Sequence, residues 1–219
     1  MTEPILFYPA FGSPYSYIAA QLIDEVGQKR NRPVLWRPVR LSTILKRPGA
    51  TPTPIPPEKL AYWRHDAARV CRLRGLPFAR PEGVDPPFDC DELYNVCYAL
   101  ADGNEAQLRT ITLAALSVIW AQGQALKDID AIVAGMRRFN LSSALVTRYA
   151  NSANGQAQHR ATIEAATATG MMGAPWIAVG DEAFWGHDRI PYLDQWLSVG
   201  RGKGGTGRPQ PVLVRPNDT

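Results

Sequence analysis

The order of strand-like and helix-like segments near the start of the chain constrains the fold most strongly. Residues 4–8 form a short apolar run, an amphipathic pattern begins at Ser13, and residues 32–39 form a second apolar run of strand length. This spacing predicts a helix between two strands, with Gly27 as the stop signal of the helix. Strand, helix and strand within about 35 residues match the length of a βαβ unit. The sequence therefore predicts a parallel pair of strands.

The C-terminal part returns to strand-like periodicity. Residues 174–180 and 181–186 predict a β-hairpin that turns at Gly180-Asp181, and residues 188–200 predict a closing amphipathic helix. A βαβ unit followed by a ββα unit in one sheet is the thioredoxin arrangement. We therefore expect an α/β protein with a thioredoxin-like fold.

The two halves of this predicted fold are separated by a long, mostly helical region. Residues 46–57 contain five prolines, which leave too few backbone donors for a regular element and predict a loop. The predicted organisation is a discontinuous thioredoxin-like domain, a large all-helical insertion and a flexible basic Gly/Pro-rich tail. The discontinuous domain comprises residues 1–57 and 169–200, the insertion comprises residues 58–168, and the tail comprises residues 201–219.

Composition narrows the classes of function. The 219 residues are 45% hydrophobic and 20% charged, with a net charge of +4, and no apolar run is long enough to span a membrane. The sequence lacks a basic module with interleaved aromatic residues, so a nucleic-acid partner is not expected. The three cysteines (Cys71, Cys90 and Cys97) show neither C-x-x-C spacing nor a zinc-ligand pattern, so no metal is expected. The N-terminus lacks the pattern of a signal peptide, and a cytoplasmic location is expected.

The first motif of chemical interest is Ser13-Pro14, where the first strand leads into the first helix. A helix N-terminus exposes N–H groups and carries about half a positive charge, so it stabilises an anion. In thiol-redox proteins of this fold a reactive cysteine occupies the position, and the serine here argues against a disulfide oxidoreductase. Ser13 is either a plain helix cap followed by proline or a hydrogen-bond donor to the thiolate of a ligand.

Two further motifs lie in the C-terminal part. Ala174-Pro175 enters the hairpin, where a cis bond would turn the backbone of Ala174 outward to pair with an extended peptide. The alternative is an ordinary proline that starts a strand. His187-Asp188-Arg189 follows the hairpin. Asp188 is either a helix cap or the partner of an α-ammonium group, for which Arg189 would bind the carboxylate.

In combination, the order FGSPYSY, GAPW and FWGHDR resembles the 2-hydroxychromene-2-carboxylate isomerases. It also resembles their close kin, the kappa-class glutathione transferases. Both groups belong to the thioredoxin-fold proteins related to periplasmic disulfide oxidoreductases. The resemblance covers roughly residues 3–200, and the segments SPYSY and GAP…FWGHDR are its most specific parts.

The resemblance implies glutathione as the cofactor and assigns roles to the matching residues. Ser13 would be catalytic, since its hydroxyl would stabilise the glutathione thiolate. The backbone of Ala174, beside Pro175, would pair with the cysteinyl part of glutathione. The γ-glutamyl end would be held by the residues of the third motif, which are His187, Asp188 and Arg189.

The resemblance also implies a substrate and a reaction. Lys46 would meet a substrate carboxylate. Aromatic surface for a flat aromatic substrate is supplied by Phe11, Tyr15, Trp63 and Trp185, although each of them taken singly fits a core position better. The implied activity is a cis–trans type isomerisation of 2-hydroxychromene-2-carboxylate or a related aromatic-degradation intermediate. It proceeds by thiolate addition, bond rotation and elimination. The family further implies a homodimer.

Departures from the family pattern leave other functions open. Family members carry Gly-Asn at the start of the Pro-rich loop, whereas Ala50 stands at the Asn position. Thr51, Thr53 or a backbone group of the loop would have to replace that contact. The family also tends to have an Asn and an Arg near residues 91–97, a segment in which this sequence offers Asn95 and no arginine. The alternatives are a kappa-like glutathione transferase or peroxidase, a non-catalytic glutathione-binding module, and a serine hydrolase built on Ser13, His187 and Asp188.

Overall fold

The fold is that of a computed structural model, which describes residues 2–46, 56–80, 91–125, 129–136, 139 and 142–199. Four strands form one mixed sheet in the order β2-β1-β3-β4. β1 pairs in parallel with β2, and β3 is antiparallel to both β1 and β4. This topology confirms the predicted thioredoxin-like fold. The strands are β1 (Ile5–Tyr8), β2 (Val34–Trp36), β3 (Trp176–Val179) and β4 (Glu182–Trp185).

Helices follow β1, connect β2 to β3, and follow β4. The segment between β1 and β2 contains α1 (Pro14–Ala20) and α2 (Ile23–Lys29). The predicted helical insertion between β2 and β3 is confirmed. α3 (Leu41–Leu45) follows β2 and precedes the predicted limits of the insertion. The helices of the insertion are α4 (Pro57–Leu73), α5 (Asp91–Ala101), α6 (Glu105–Trp120), α7 (Ile129–Gly135), α8 (Ser143–Ala150) and α9 (Ala153–Ala168). A 3₁₀ turn (His187–Arg189) and α10 (Ile190–Val199) follow β4. No helix in the described ranges has the length and apolarity needed to cross a membrane.

The sheet is covered by helices on both faces. Successive side chains of a strand point to opposite faces, so Ile5 and Phe7 pack with α1, α2, α6 and α10, whereas Tyr8 packs with α3 and α9. Fully burying one such side chain stabilises the fold by roughly 1.5–3 kcal/mol. The end of β1, from which the segment carrying Ser13 departs, is therefore anchored between two helical layers.

The helical region and the sheet share one hydrophobic core. The same cluster contains Phe7 of β1, Tyr94 of α5 and Ile119 of α6. The helical region thus packs directly against the elements that carry Ser13. The sequence-based domain limits lie close to element boundaries, since α4 begins at Pro57 and α9 ends at Ala168.

Two local features differ from the sequence expectation. The first predicted helix is broken into α1 and α2, and Gly27 lies inside α2 instead of ending a helix. A Cβ on Gly27 would come within 2.5 Å of Val34 Cγ2, so the glycine allows α2 to pack closely on β2. β2 spans three residues, although hydrogen bonds to the β1 segment continue beyond it: the Arg37 N–H donates to the Phe7 carbonyl oxygen at 2.7 Å, and the Val39 N–H donates to the Pro9 carbonyl oxygen at 2.9 Å.

Candidate active site

Ser13 caps the first helix. Its backbone is extended (φ −109°, ψ 114°), and Pro14 occupies the first helical turn. The Ser13 Oγ accepts a hydrogen bond from the Ser16 N–H at 3.2 Å. A cap of this kind pairs one of the N–H groups that a helix start leaves without an intrahelical partner. The interpretation of Ser13-Pro14 as a helix start is confirmed, and the serine is 9% exposed.

The Ser13 hydroxyl also joins the first motif to the second. Ser13 Oγ donates a hydrogen bond to the Ala174 carbonyl oxygen at 3.1 Å, and the Ala174–Pro175 bond is cis, as predicted. The Gly186 N–H donates to the Pro175 carbonyl oxygen at 3.0 Å. The three motifs, far apart in the sequence, therefore meet where β1 leads into α1.

The third motif contacts α1 through an aromatic pair. The rings of Tyr15 and His187 lie 5.0 Å apart at an interplanar angle of 2°. Asp188 and Arg189 pair with each other, with Oδ2 and Nη2 2.8 Å apart and side chains 54% and 50% exposed. Gly186 has φ +109°, and a Cβ there would come within 2.4 Å of Asp188 Oδ1. The glycine thus allows the turn to fold back on itself after β4.

Burial and hydrogen bonding set the protonation states around Tyr15. Burial raises the pKa of Tyr15, and its hydrogen bond to Asp66 raises the pKa further, so the phenol remains a donor. Burial raises the pKa of Asp66, but hydrogen bonds from Tyr15 and Arg69 outweigh this effect and bring the pKa below its usual value. Burial lowers the pKa of His187, partly offset by the charge of Asp188. The His187 imidazole is therefore neutral at pH 7.

Three hydrogen bonds support the segment between β1 and Ser13. The Phe11 N–H donates to Tyr94 Oη at 3.0 Å, and Trp120 Nε1–H donates to the Phe11 carbonyl oxygen at 2.8 Å. The Ala10 N–H donates to Ser16 Oγ at 3.1 Å. Sequence reasoning missed Tyr94 and Trp120 as supports, because each stands in a helical pattern as an ordinary core residue. The available signal is general: a buried tyrosine hydroxyl or tryptophan N–H usually has a partner.

Phe11 lies in the core. It is 1% exposed, and its ring packs against the Tyr94 ring with centroids 4.6 Å apart. The predicted contact between Phe11 and a substrate is therefore corrected, because the side chain is enclosed by the helices that pack on the sheet.

The other predicted substrate residues lie near the surface. Trp63 is half-buried on α4, and Lys59 Nζ lies 5.1 Å from its ring centroid. Lys46 is exposed at the end of α3. Within the described ranges, no hydrogen bond, ion pair or ring contact joins either side chain to Ser13. Trp185 is 48% exposed. Its indole lies so close to Gly173 that a Cβ there would be 2.3 Å from the indole Nε1.

The residues that depart from the family pattern occupy different places. Ala50, Thr51 and Thr53 lie outside the described residues. Asn95 Nδ2 donates to the Ala150 carbonyl oxygen at 3.3 Å, and Asn95 Oδ1 lies 3.3 Å from His159 Nδ1. Asn95 thus connects helices of the insertion and does not face Ser13.

The arrangement contradicts a serine-hydrolase triad. Ser13 Oγ is bonded to Ala174 and Ser16, the His187 ring lies flat on Tyr15, and Asp188 pairs with Arg189. A triad needs the histidine within hydrogen-bonding distance of the serine and the aspartate on the other ring nitrogen. The described contacts of these three residues provide neither bond, because each side chain has a different partner.

Comparison with known families identifies the family of the fold. A family model described as a DSBA-like thioredoxin domain matches residues 4–198. The chain belongs to this family. Within the DSBA-like thioredoxin family, it carries serine at the helix start where thiol-redox members have a reactive cysteine.

Named relatives define the resemblance more closely. The chain is 26% identical over 200 residues to a 2-hydroxychromene-2-carboxylate isomerase of Sphingobium xenophagum, covering 90% of this chain and 99% of that protein. It is 25% identical over 201 residues to a protein of the same name from Pseudomonas putida, covering 86% and 91%. A solved structure of 2-hydroxychromene-2-carboxylate isomerase has the same fold, with a TM-score of 0.74 at 22% identity, covering 89% and 94%. The resemblance to these isomerases is confirmed, and the named relatives support an isomerase-like enzyme.

Proposed function

We propose that this protein is a glutathione-dependent isomerase that acts on 2-hydroxychromene-2-carboxylate or a related aromatic-degradation intermediate. The observation that carries the proposal is the 3.1 Å hydrogen bond from Ser13 Oγ to the Ala174 carbonyl oxygen. It brings a hydroxyl donor and a peptide carbonyl together at a helix start. The hydroxyl can donate to the thiolate of a ligand, and the carbonyl can accept from the amide N–H of the same ligand. The names of the relatives support the substrate class.

Ser13 would hold the sulfur of glutathione. A hydroxyl has one proton to donate, and Ser13 gives it to the Ala174 carbonyl oxygen. A thiolate beside Ser13 would accept that hydrogen bond instead. Because a thiol ionises more readily where its anion accepts hydrogen bonds near a helix N-terminus, Ser13 would act as a donor and not as a nucleophile.

Ala174 would pair with the peptide backbone of glutathione. When the Ser13 hydroxyl turns to the sulfur, the Ala174 carbonyl oxygen needs a new donor. A buried acceptor without a partner costs roughly 1–3 kcal/mol, and an amide N–H of the ligand would remove this cost. The exchange replaces one hydrogen bond within the protein by two to the ligand and adds an extended peptide beside β3.

Asp188 and Arg189 would bind the charged groups of the γ-glutamyl end. Their side chains are about half exposed and bonded to each other. An exposed ion pair of this kind contributes only about 0–1 kcal/mol. An α-ammonium and a carboxylate of the ligand can therefore replace it at little cost, one on each side chain. His187 and Tyr15 place the turn beside α1.

The remaining predicted residues would serve the substrate. When bound, glutathione supplies a thiolate that adds reversibly to a conjugated substrate carbon, so that the former double bond rotates before elimination. Lys46 would bind the substrate carboxylate, while Tyr15, Trp63 and Trp185 would contact its aromatic ring. The Tyr15 phenol stays protonated, so it offers a neutral surface to an anionic substrate.

A glutathione-dependent loss of chromene absorbance tests the activity. We expect turnover by the wild type at saturating glutathione and neutral pH, and a roughly 10- to 100-fold lower kcat for Ser13→Ala, because loss of a hydrogen bond to the thiolate, worth about 1.5–3 kcal/mol, lowers the fraction of glutathione that is ionised. Ser152→Ala is the matched control. Ser152 caps α9, because its Oγ accepts a hydrogen bond of the same length, 3.2 Å, from the Gly155 N–H, so this variant loses a helix cap away from the site.

The same assay distinguishes the alternatives. No chromene turnover by the wild type would exclude this substrate. If chlorodinitrobenzene or an organic hydroperoxide is turned over instead, a kappa-like transferase or peroxidase replaces the proposal. If calorimetry detects no heat of glutathione binding, the cofactor assignment is wrong. A glutathione-binding protein without any of these activities would be a binding module.

The assembly and location inferred from the resemblance stay predictions. A homodimer would elute in solution at twice the mass of one chain, as measured by light scattering. A cytoplasmic location is tested by fractionation of cells that express the full chain.

A further inference from the structure

A carboxylate on α4 contacts the candidate active site from the helical insertion. The Tyr15 hydroxyl donates to Asp66 Oδ2 at 2.8 Å across 51 residues of sequence. Tyr15 follows Ser13-Pro14 in the first turn of α1, whereas Asp66 belongs to the middle of α4. This bond therefore joins the insertion to the helix that starts at Ser13.

The two oxygens of Asp66 have different partners. Oδ2 accepts from Tyr15, whereas Oδ1 accepts from Arg69 and lies 3.5 Å from the Tyr62 hydroxyl. The Asp66 side chain is 16% exposed, so these hydrogen bonds are partly shielded from water. Arg69 holds the carboxylate from the exposed side. The hydrogen bond from Tyr15 thus lies on the side of the Asp66 carboxylate that faces away from solvent.

The Tyr15 ring in turn stacks on the His187 ring. The two rings are parallel within 2° at 5.0 Å. A stacked pair contributes only about 0.5–1.5 kcal/mol beyond the area that it buries, so stacking alone holds the two rings weakly. The hydrogen bond to Asp66 fixes the far end of the Tyr15 ring. The hydrogen bond thereby favours one position of the His187 ring and of the 3₁₀ turn that begins at this residue.

We propose that Asp66 is a positioning residue, which holds the Tyr15 ring against His187 and thereby sets the 3₁₀ turn that carries Asp188 and Arg189. The effect on glutathione rests on the proposed function. The helical insertion would then act on the binding of the γ-glutamyl end through this one carboxylate. Asp66 itself touches neither cofactor nor substrate.

Nuclear magnetic resonance of the three histidines tests the positioning directly. Asp66→Ala should move the ring-proton signals of His187, assigned by their loss in His187→Gln, toward those of an unstacked imidazole. Asp66→Asn should leave them near their wild-type position, because the amide oxygen still accepts from Tyr15. His159, which stacks on Tyr94 at 4.8 Å, is an internal reference that should not move.

Calorimetry with glutathione tests the consequence. We expect a dissociation constant ~10-fold higher for Asp66→Ala and for Tyr15→Phe, and within ~3-fold of the wild type for Asp66→Asn. The double variant Tyr15→Phe with Asp66→Ala should bind no more weakly than either single variant, because both remove the same hydrogen bond. Tyr62→Phe is the matched control. It removes the hydroxyl that lies 3.5 Å from Asp66 Oδ1, the other oxygen of the same carboxylate, and this variant should bind glutathione like the wild type.

The two measurements separate the failures. Unchanged His187 signals in Asp66→Ala would overturn the positioning role, whatever glutathione does. A shift of these signals together with no glutathione binding by the wild type would overturn the proposed function and leave the positioning role standing. A shift in Asp66→Ala with unchanged affinity for glutathione would overturn the claim that the position serves the ligand. Should Asp66→Ala not fold, the same outcomes are judged on Tyr15→Phe against Asp66→Asn.

Discussion

Acidification should destabilise this protein between pH 6.5 and 4 through one buried histidine. His159 on α9 is 5% exposed and stacks on the Tyr94 ring at 4.8 Å. Its Nδ1 lies 3.3 Å from Asn95 Oδ1, and its Nε2 is buried without a hydrogen-bond partner among the described residues. Burial, with a contribution from the charge of Arg40, lowers its pKa from 6.5 to about 4.

The sign follows from which state takes up the proton. Below pH 6.5 the histidine of the unfolded chain is protonated, whereas folded His159 stays neutral down to about pH 4. The unfolded state therefore binds more protons in this window, and the free energy of unfolding falls as the pH falls. At 1.36 kcal/mol for each pH unit, the loss is roughly 2 kcal/mol by pH 5 and roughly 3 kcal/mol by pH 4.

Urea denaturation at pH 7.5, 6 and 5 measures this loss. His159→Gln does not titrate and retains a group that can bond Asn95, so its unfolding free energy should fall by roughly 2 kcal/mol less than that of the wild type by pH 5. The comparison is needed because the pKa of His187 is also lowered by burial. His65→Gln, which changes an exposed histidine on α4, is the matched control and should follow the wild-type curve. Parallel curves for the wild type and His159→Gln would refute the reasoning, and His159→Phe, which keeps an aromatic ring, provides a second test.

Two further substitutions test how the site is supported. Tyr94→Phe removes the acceptor of the buried Phe11 N–H, so the free energy of unfolding in urea should fall by roughly 1–3 kcal/mol; Tyr149→Phe on α8 is the control, and an equal effect of both would contradict the assignment. Gly173→Ala would place a Cβ 2.3 Å from Trp185 Nε1, so it should displace the indole, change its fluorescence, and destabilise the fold by roughly 1–3 kcal/mol. Unchanged fluorescence and stability in Gly173→Ala would show that the indole does not pack against this glycine.

Much of the fold could be predicted because it rests on local rules. The alternation of apolar residues, the serine and proline at a helix start, and the Gly180-Asp181 turn each act over a few neighbouring residues. Gly27 shows the limit of such rules. It resembles a helix stop, yet it lies inside α2 because the close approach of Val34 requires a residue without a side chain. Only the packing of helix on strand distinguishes the two cases.

The sequence predicts the motifs of the candidate site, but it does not predict which atoms of these motifs contact each other. Ser13, Ala174 and His187 were identified from the sequence, and the structure brings them together. Phe11 belongs to the same segment and nevertheless faces the core, because helices far along the chain close over it. Asp66 carried no signal at all in the sequence, since its partner Tyr15 is 51 residues away.

The sequence by itself determined the order of strands and helices, the cap at Ser13, the proline at 175 and the turn after the hairpin. Tertiary structure alone decided which atoms meet: the hydroxyl of Ser13 with the carbonyl of Ala174, 161 residues apart, and the carboxylate of Asp66 with Tyr15. The physical reason is the range of the forces involved. Backbone preferences and caps depend on neighbours along the chain. The partner of a buried polar group depends on how helices distant in sequence pack against the sheet.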